Sequence, residues 1–326
     1  MRRFAIAIDR WPIAGRFTIS RGSKTVATTV TVRLEEEGAA GQGECVPSVR
    51  YGETVEGVAA AIEALRPRLE AGLERAELQA ALPPGAARNA VDCALWDLAA
   101  KRAGTTVAAL AGLPPPGPVT TAYTLSLDTV EAMGAAARAQ AHRPLLKLKV
   151  GGAGDLERVR AVHASAPGAR LILDANEGWS EADYRALVPE LGALGVEMIE
   201  QPFPARRDAA LASLPRPIPI TADESCHVSA DLPGLAGRYD AVNLKLDKTG
   251  GLTEALAFAE AARAAGLTLM VGCMLGTWLG MAPALLPAQR ARWVDLDGPL
   301  WLAQDRSPGL AYAGSVVQPA PPALWG

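Results

Sequence analysis

Charged side chains recur at a nearly constant interval through the second half of the chain. Five of them follow one another at steps of 22 to 26 residues: Lys149, Asp174, Glu200, Asp223 and Lys245. Carboxylates gathered without a counterion raise one another's pKa, so a bound cation is expected among the three acids. A ligand set made only of oxygen favours Mg²⁺. A single buried acid or lysine is usually a structural ion pair, but an ordered set of five favours a site.

Such a set has the parts needed to remove a proton from carbon. A divalent ion stabilises the enediolate that forms when a carbon next to a carboxylate loses its proton. A nearby lysine can serve as the base. Lys149 and Lys245 come from segments that would lie nearly across a ring of strands, so they could address opposite faces of that carbon. This arrangement predicts epimerisation.

The charges fall at the ends of short apolar segments that we expect to be β-strands. These segments lie around residues 120–124, 146–150, 171–174, 197–200, 218–223, 241–245, 268–272 and 293–297. Their spacing of about 22 to 27 residues is the length of a strand, a helix and two loops. We predict an α/β fold, a modified (β/α)8-type barrel of (β/α)7β form, whose active site lies at the C-terminal strand ends. A doubly wound sheet is the alternative, but no G-x-G-x-x-G turn follows these strands.

Alternation along two of the strands indicates which side chains point into the barrel. Lys147 and Lys149 are two residues apart and therefore share one face of their strand. Asn243 and Lys245 share a face in the same way. Lys248 lies past the strand end, and we expect it to be a loop residue.

The first part of the chain predicts a separate α+β domain. Thr25–Leu34 alternates as a strand does and leads into an acidic turn at Glu35–Gly38, while residues 53–81 and 86–103 have helical periodicity. The stiff sequence Pro114-Pro115-Pro116 favours a boundary near residue 117. We therefore expect a capping domain over residues 1–117 and a catalytic barrel over residues 118–302. The C-terminal tail, from about residue 303 to 326, is expected to pack with the capping domain.

Composition narrows the classes of function. The 326 residues carry a net charge of -3 with scattered Lys and Arg, which argues against nucleic acid as a partner. No apolar run approaches the roughly 18 residues of a membrane span, and the apolar stretch after Met1 is too short for a signal peptide. We expect a cytoplasmic protein that has no membrane partner. Its composition is compatible with a homo-oligomer. The four cysteines form no C-x-x-C pair and are expected to be free thiols: Cys45, Cys93, Cys226 and Cys273.

Five short motifs resemble those of one enzyme superfamily. They are Lys147-Leu148-Lys149, Asp174-Ala175-Asn176, Glu200-Gln201-Pro202, Ala222-Asp223-Glu224-Ser225 and Asn243-Leu244-Lys245. In order and spacing they resemble the enolase superfamily, and within it the muconate-lactonising-enzyme-like group, over the whole chain. The resemblance implies one Mg²⁺ per subunit at the three acids, acid/base roles for the two lysines, and a place for Lys147 near the substrate carboxylate.

Finer features resemble the dipeptide epimerases of this group. Asp295-Leu296-Asp297-Gly298 resembles the D-x-D pair that holds a dipeptide's α-ammonium. The segment Ile19–Lys24 resembles the loop whose basic residue binds a glutamate side chain, which implies that role for Arg21, with Lys24 as a second candidate. Cys273 and Met274 begin a segment that resembles the seventh-strand end, where backbone groups meet the dipeptide amide.

The implied function is an isomerase that inverts the second residue of L-Ala-D/L-Glu or a related dipeptide. Thr124, near the end of the first barrel strand, is a further candidate for the pocket wall. A first alternative is a lyase or isomerase like o-succinylbenzoate synthase or muconate cycloisomerase, whose substrates lack the ammonium that Asp295 and Asp297 would bind. A metal-dependent binding protein without catalysis is an alternative from a different class.

Overall fold

The N-terminal part of the chain is an antiparallel sheet covered by helices. The computed structural model describes residues 2–326. The sheet has the order β1 (Arg3–Ile19), β2 (Gly22–Glu36), β3 (Ala39–Cys45). Five helices follow: α1 (Val55–Ala64), α2 (Arg66–Glu70), α3 (Arg75–Ala81), α4 (Ala86–Ala103) and α5 (Val107–Leu110). We call residues 2–110 the capping region.

Apolar alternation on β2 and a close approach of α4 hold this region together. Val30, Val32 and Leu34 are fully buried on one face of β2. Helix α4 packs so close to β3 that a Cβ added at Gly43 would lie 2.1 Å from the carbonyl oxygen of Ala90. Glycine is therefore required at that position.

The remaining elements form the barrel and its closing sheet. They are, in chain order, β4 (Val119–Thr120), β5 (Tyr123–Leu125), α6 (Val130–Ala139), β6 (Leu145–Lys149), α7 (Asp155–Ser165), β7 (Arg170–Asp174), α8 (Glu181–Ala193), β8 (Met198–Glu200), β9 (Ile220–Ala222), β10 (Ala241–Leu244), α9 (Leu246–Thr249), α10 (Leu252–Ala264), β11 (Thr268–Gly272), α11 (Trp278–Met281), α12 (Leu285–Ala288), β12 (Trp293–Asp295), β13 (Tyr312–Ala313) and β14 (Val316–Val317).

Strands β5 to β12 form one parallel sheet of eight strands in sequential order. The two ends of the sheet meet, because the backbone N–H of Ala122 donates to the carbonyl of Val294 at 2.7 Å. The predicted barrel with a capping region is thereby confirmed. Two of the connections differ from α-helices: short 3-10 helices at Ala209–Ala212 and Ser229–Leu235 follow β8 and β9.

Several predicted boundaries were wrong in detail. The strand expected at Thr25–Leu34 extends over Gly22–Glu36, and its turn is formed by Glu37 and Gly38, both with positive φ. The helical stretch over residues 53–81 divides into three helices, and the long strand β1 was not predicted. The first barrel strand is Tyr123–Leu125, because residues 119–120 pair instead with β14 in a small antiparallel sheet.

The barrel interior below the strand ends is apolar. One cluster of buried residues comes from seven of the eight strands or the residue just before a strand, and we call it the lower layer: Ala122, Leu145, Ile172, Met198, Ala241, Met270 and Trp293. Because side chains alternate along a strand, the residue two positions further on also points inward. Those positions include four charged residues of the predicted site: Lys147, Asp174, Glu200 and Asp295.

The C-terminal residues contact both parts of the molecule. β13 pairs with β14 and β14 pairs with β4, while the indole N–H of Trp325 donates to the carbonyl of Gln42 in β3 at 3.0 Å. Arg306 also reaches the capping region, where it pairs with Asp9 and Glu44. Among residues 2–326, no helix is both long enough and apolar enough to span a bilayer.

Candidate active site

A cavity of about 450 Å³ opens at the C-terminal ends of the barrel strands. Eleven of the predicted site residues line it: Arg21, Lys24, Thr124, Lys147, Lys149, Asp223, Lys245, Cys273, Met274, Asp295 and Asp297. The other two, Asp174 and Glu200, are fully buried and contact lysines of the cavity wall. The fold therefore brings the whole predicted set to one place.

The parallel register explains this convergence. Lys149 pairs with Asp174, and Asp174 pairs with Glu200, across neighbouring strands. Asp223 follows β9 directly, and Lys245 follows β10 directly. Each charge therefore ends its strand at the same rim of the barrel.

Lys147 lies at the centre of the acidic residues. Its Nζ is 2.6 Å from Asp295 Oδ2, 2.6 Å from Glu200 Oε2 and 3.3 Å from Asp174 Oδ2. Burial by itself lowers the pKa of Lys147, but the three acids raise it well above its ordinary value. Lys147 is therefore a fixed cation at the base of the cavity.

The two predicted acid/base lysines each contact a different acid. Lys149 Nζ lies 2.5 Å from Asp174 Oδ2, and Lys245 Nζ lies 2.8 Å from Asp223 Oδ2. Burial by itself raises the pKa of Asp174, but Lys149 and Lys147 hold it below its usual range. Burial by itself lowers the pKa of Lys245, but Asp223 and then Glu200 raise it above its usual range.

The prediction that Lys248 is a loop residue was wrong. It lies in the short helix α9, is 2% exposed, and its Nζ donates to Asp223 Oδ1 at 2.6 Å and to the carbonyl of Asn243 at 2.8 Å. Because α9 begins directly after Lys245, one helical turn carries Lys248 back over the strand ends. The spacing of three residues between the two lysines was the available signal.

Two amides that the sequence analysis did not assign to the site hold acids in place. Asn243 Nδ2 donates to Glu200 Oε1 at 2.6 Å. The side-chain carbonyl of Gln201 accepts from the backbone N–H of Asp223 at 2.9 Å and of Ser225 at 3.1 Å. The Asn243 bond joins β10 to the end of β8, and the Gln201 bonds join the end of β8 to the end of β9.

The pair on the last strand is buried and electrostatically coupled. Asp297 Oδ2 accepts from the backbone N–H of Thr124 at 2.6 Å, and Thr124 Oγ1 lies 3.5 Å from Asp295 Oδ1. Burial, and then the charge of Asp295, raises the pKa of Asp297 to about 7. Two acids so placed would bind a cationic group of a ligand favourably.

The capping region closes the cavity from above with cationic side chains. Arg21 Nη2 donates to Glu224 Oε1 at 2.8 Å, and Arg21 Nη1 donates to the carbonyl of Asn176 at 2.6 Å. Arg50 binds Glu177 through two contacts of 2.6 Å. Lys24 lies at the rim of the cavity, where partial burial and then the charge of Arg21 lower its pKa. Arg50 and Glu177 had no distinguishing motif in the sequence.

The acids fit a hard divalent cation. Glu200 Oε2 is buried without a hydrogen-bond partner among the described residues, because its contact with Lys147 lacks hydrogen-bond alignment. Burial and the neighbouring Asp174 raise the pKa of Glu200. The surrounding residues therefore do not fully compensate the negative charge of this carboxylate. Oxygen-only donors of this kind suit Mg²⁺. In residues 2–326, no three acidic, histidine or cysteine side chains converge as preformed metal ligands, since lysine ammonium groups lie between the acids.

Comparison with protein families places this site. Residues 1–112 match the N-terminal domain of the mandelate racemase / muconate lactonizing enzymes, and residues 128–295 match the enolase C-terminal domain-like family. The chain belongs to the mandelate racemase / muconate lactonizing enzyme family, within the enolase superfamily. This confirms the resemblance drawn from the five motifs.

Similar members of this family act on or bind dipeptides. The chain is 49% identical to the L-Ala-D/L-Glu epimerase of Escherichia coli K12, over 96% of this chain and 98% of that protein. An enolase family member from Agrobacterium tumefaciens, with homology to dipeptide epimerases and solved with sodium and L-Ala-L-Glu, is 54% identical with a TM-score of 0.99 over 100% of both chains. The Enterococcus faecalis dipeptide epimerase, solved with Mg and L-Leu-L-Tyr, is 28% identical with a TM-score of 0.91 over 97% of this chain and 96% of that one.

The family ranges contain most of the site. The acids of β7, β8 and β9 and the lysines of β6 and β10 lie within residues 128–295, and Arg21 lies within residues 1–112. Asp297 lies two residues beyond the second range. The family match therefore bears on the acids and lysines, whereas Asp297 requires its own test.

Proposed function

We propose that this protein is a dipeptide epimerase that interconverts L-Ala-L-Glu and L-Ala-D-Glu, or closely related dipeptides, by moving a proton at the α-carbon of the second residue. The observation that supports this most strongly is that Lys149 and Lys245 line the same cavity. Their strands, β6 and β10, are four positions apart in the eight-stranded barrel. Two amines so placed face a bound carbon from opposite sides. The relatives that epimerise L-Ala-D/L-Glu support the substrate class.

The two lysines would act as a pair. In one direction a neutral amine takes the α-proton, while the opposite ammonium donates a proton to the other face of the carbon. In the reverse direction their roles exchange. The carbon is inverted, and the two lysines end with exchanged protonation states, which proton exchange with water would restore before the next turnover.

Asp174, Glu200 and Asp223 would hold Mg²⁺. When bound, the ion would stabilise the negative charge that develops on the substrate carboxylate as the α-proton leaves. Lys147, a fixed cation between these acids and Asp295, would contact that carboxylate. Bound Mg²⁺ would replace the ion pairs that Lys149 makes with Asp174 and Lys245 makes with Asp223.

The remaining wall would orient the dipeptide. Asp295 and Asp297 would bind the α-ammonium of the first residue, beside Thr124, and the backbone at Cys273 and Met274 would meet the amide. Arg21, with Lys24 beside it, would bind the acidic side chain of the second residue. The Asp pair is also what favours an epimerase over the o-succinylbenzoate synthase or muconate cycloisomerase alternatives, whose substrates carry no ammonium.

We also propose the domain division drawn from the sequence, with capping over residues 1–117 and catalysis over residues 118–302. Residues 111–118 lie outside helices and strands, in agreement with a boundary there. The tail from about residue 303 would belong with the capping domain, as its contacts at Trp325 and Arg306 suggest.

The test is proton exchange in deuterated water. The protein with Mg²⁺ and L-Ala-L-Glu should yield L-Ala-D-Glu that carries one deuterium at the glutamate α-carbon, as seen by proton NMR and mass spectrometry. Treatment with EDTA should stop the reaction, and added Mg²⁺ should restore it. Binding of the dipeptide without deuterium incorporation would indicate a binding protein and overturn the proposal.

A further inference from the structure

Arg21 already has an acidic partner from the barrel. Glu224 follows Asp223 at the end of β9, and its side chain is 1% exposed. One of its oxygens, Oε1, accepts from Arg21 Nη2 at 2.8 Å. The other, Oε2, is buried without a hydrogen-bond partner among the described residues. Glu224 therefore depends on Arg21 for its hydrogen bonding.

The other charges of this rim do not replace that contact. Glu177 approaches Arg21 Nη1 at 3.2 Å, but its carboxylate is bound at shorter distance by two guanidinium nitrogens of Arg50, Nε and Nη2. Lys24 and Arg50 also line this cavity, but among the described residues neither of them pairs with Glu224.

We propose that Glu224 is a specificity-determining residue, an internal counterion that competes with the acidic side chain of a substrate for Arg21. The inference rests on the proposed function, and it explains how the enzyme's preference between acidic and neutral side chains is set. An acidic side chain must share Arg21 with Glu224, whereas a neutral side chain leaves that pair intact.

The electrostatic reason is that buried charges need partners. The side chain of Glu224 is 1% exposed and that of Arg21 is 34% exposed, so Glu224 loses more than Arg21 when the pair is broken. An acidic side chain that binds Arg21 leaves the buried Glu224 carboxylate without its cation, whereas a neutral side chain leaves the Arg21–Glu224 pair intact. Glu224 therefore reduces the difference in kcat/KM between substrates with an acidic side chain and substrates with a neutral one.

The decisive variant is Glu224→Gln, which keeps the shape of the side chain and removes its charge. We expect the ratio of kcat/KM for L-Ala-L-Glu over that for L-Ala-L-Leu to rise at least about tenfold above wild type, equivalent to about 1.4 kcal/mol. Both dipeptides use the same acids and lysines. If the substitution disturbs the neighbouring Asp223, kcat/KM falls for both dipeptides alike, and this loss cancels in the ratio.

Three comparisons make the result specific. In an Arg21→Met background, Glu224→Gln should change the ratio less than about twofold, because the competing cation is gone. Glu224→Asp, which retains the charge at a shorter reach, should give a smaller rise than Glu224→Gln. Glu197→Gln removes a carboxylate paired with Arg170 near the start of β8, at the opposite end of the barrel, and should leave the ratio at the wild-type value.

The outcomes separate this inference from the proposed function. An unchanged ratio in Glu224→Gln, or an equal rise in the Arg21→Met background, overturns the inference while wild-type epimerisation stands. Failure of the wild type to epimerise either dipeptide overturns the proposed function itself. If Glu224→Gln binds but does not turn over, calorimetric dissociation constants for the two dipeptides replace kcat/KM. If it does not fold, Glu224→Asp decides, and no rise in its ratio overturns the inference.

Discussion

Two layers of the same barrel, one alternation apart on each strand, differ in chemistry. The lower layer is apolar, with Leu145, Ile172, Met198, Ala241 and Trp293 almost fully buried. Two residues further along these strands stand the five residues of what we call the upper layer: Lys147, Asp174, Glu200, Asn243 and Asp295. The chain therefore separates apolar packing from a buried charged site by two residues on each strand.

The comparison shows that the two layers have opposite effects on stability. Burial of apolar side chains stabilises the fold by about 1.5 to 3 kcal/mol per large residue. Buried charges lose hydration, and their mutual attraction seldom exceeds that loss. The raised pKa of Glu200, which has two acids and two lysines around it, indicates that the charge of this carboxylate is poorly compensated. We expect its residues to serve binding and catalysis.

The largest expected effect follows removal of a charge from the upper layer. Glu200→Gln should weaken Mg²⁺ binding at least about a hundredfold and lower kcat/KM for L-Ala-L-Glu by at least about a thousandfold. Its midpoint of chemical unfolding should stay near the wild-type value, because the upper layer contributes little stability. Calorimetric Mg²⁺ titration and urea unfolding measure the two quantities, and unaltered Mg²⁺ affinity would contradict the assignment.

The matching change in the lower layer should do the reverse. Ile172→Ala should lower the free energy of unfolding by about 2 to 5 kcal/mol, because it leaves a cavity in a close-packed layer. Well below the melting temperature, kcat/KM should remain within about threefold of wild type. A loss of activity at constant stability would show that the two layers are not separable.

The sequence predicted the barrel because its strands are short, apolar and evenly spaced. Strand β11 spans the predicted residues Thr268–Gly272, and the charged strand ends converge as the register requires. The 3-10 connections after β8 and β9 could not be predicted, since helical periodicity does not distinguish a short 3-10 turn from a loop. Strand β1 was missed because its edge position leaves most of its side chains exposed, without the usual apolar alternation.

Site residues on strands were predictable, whereas those that depend on loops were not. Lys147 and Asp174 follow from alternation and strand-end position. Arg50 and Glu177 meet only after the capping region folds over the barrel, 127 positions apart in sequence. The buried position of Lys248 could not be predicted without knowing that a helix begins directly after Lys245.

A third prediction concerns the acid pair on β12. Asp297→Asn should weaken dipeptide binding by about tenfold to a hundredfold while Mg²⁺ affinity changes less than about twofold, since under the proposed function the lost charge would face the ammonium of the substrate. Calorimetric titration with each ligand provides both values. Equal losses for the dipeptide and Mg²⁺ would contradict the ammonium role.

The smallest effect tests a buried acid that, unlike those of the upper layer, has no cationic partner among the described residues. Asp247 accepts from the backbone N–H of Val46 and from Asn89, and burial raises its pKa to about 7. An acid whose folded pKa is raised favours folding most below its unfolded pKa, near 4, and this contribution falls as pH rises towards 7. Asp247→Asn should therefore raise the melting temperature by at least about 2 °C at pH 8 and not at pH 4. An equal shift at both pH values would contradict it.

The most direct test of the two-lysine arrangement follows the α-proton of each epimer separately. Lys149→Ala and Lys245→Ala should each lose epimerisation, by at least about a thousandfold. In deuterated water with Mg²⁺, each variant should exchange the α-proton of at most one epimer of Ala-Glu, and the two variants should differ in which one. Exchange of both epimers by either single-lysine variant would show that the removed lysine is not a base, and would contradict the account.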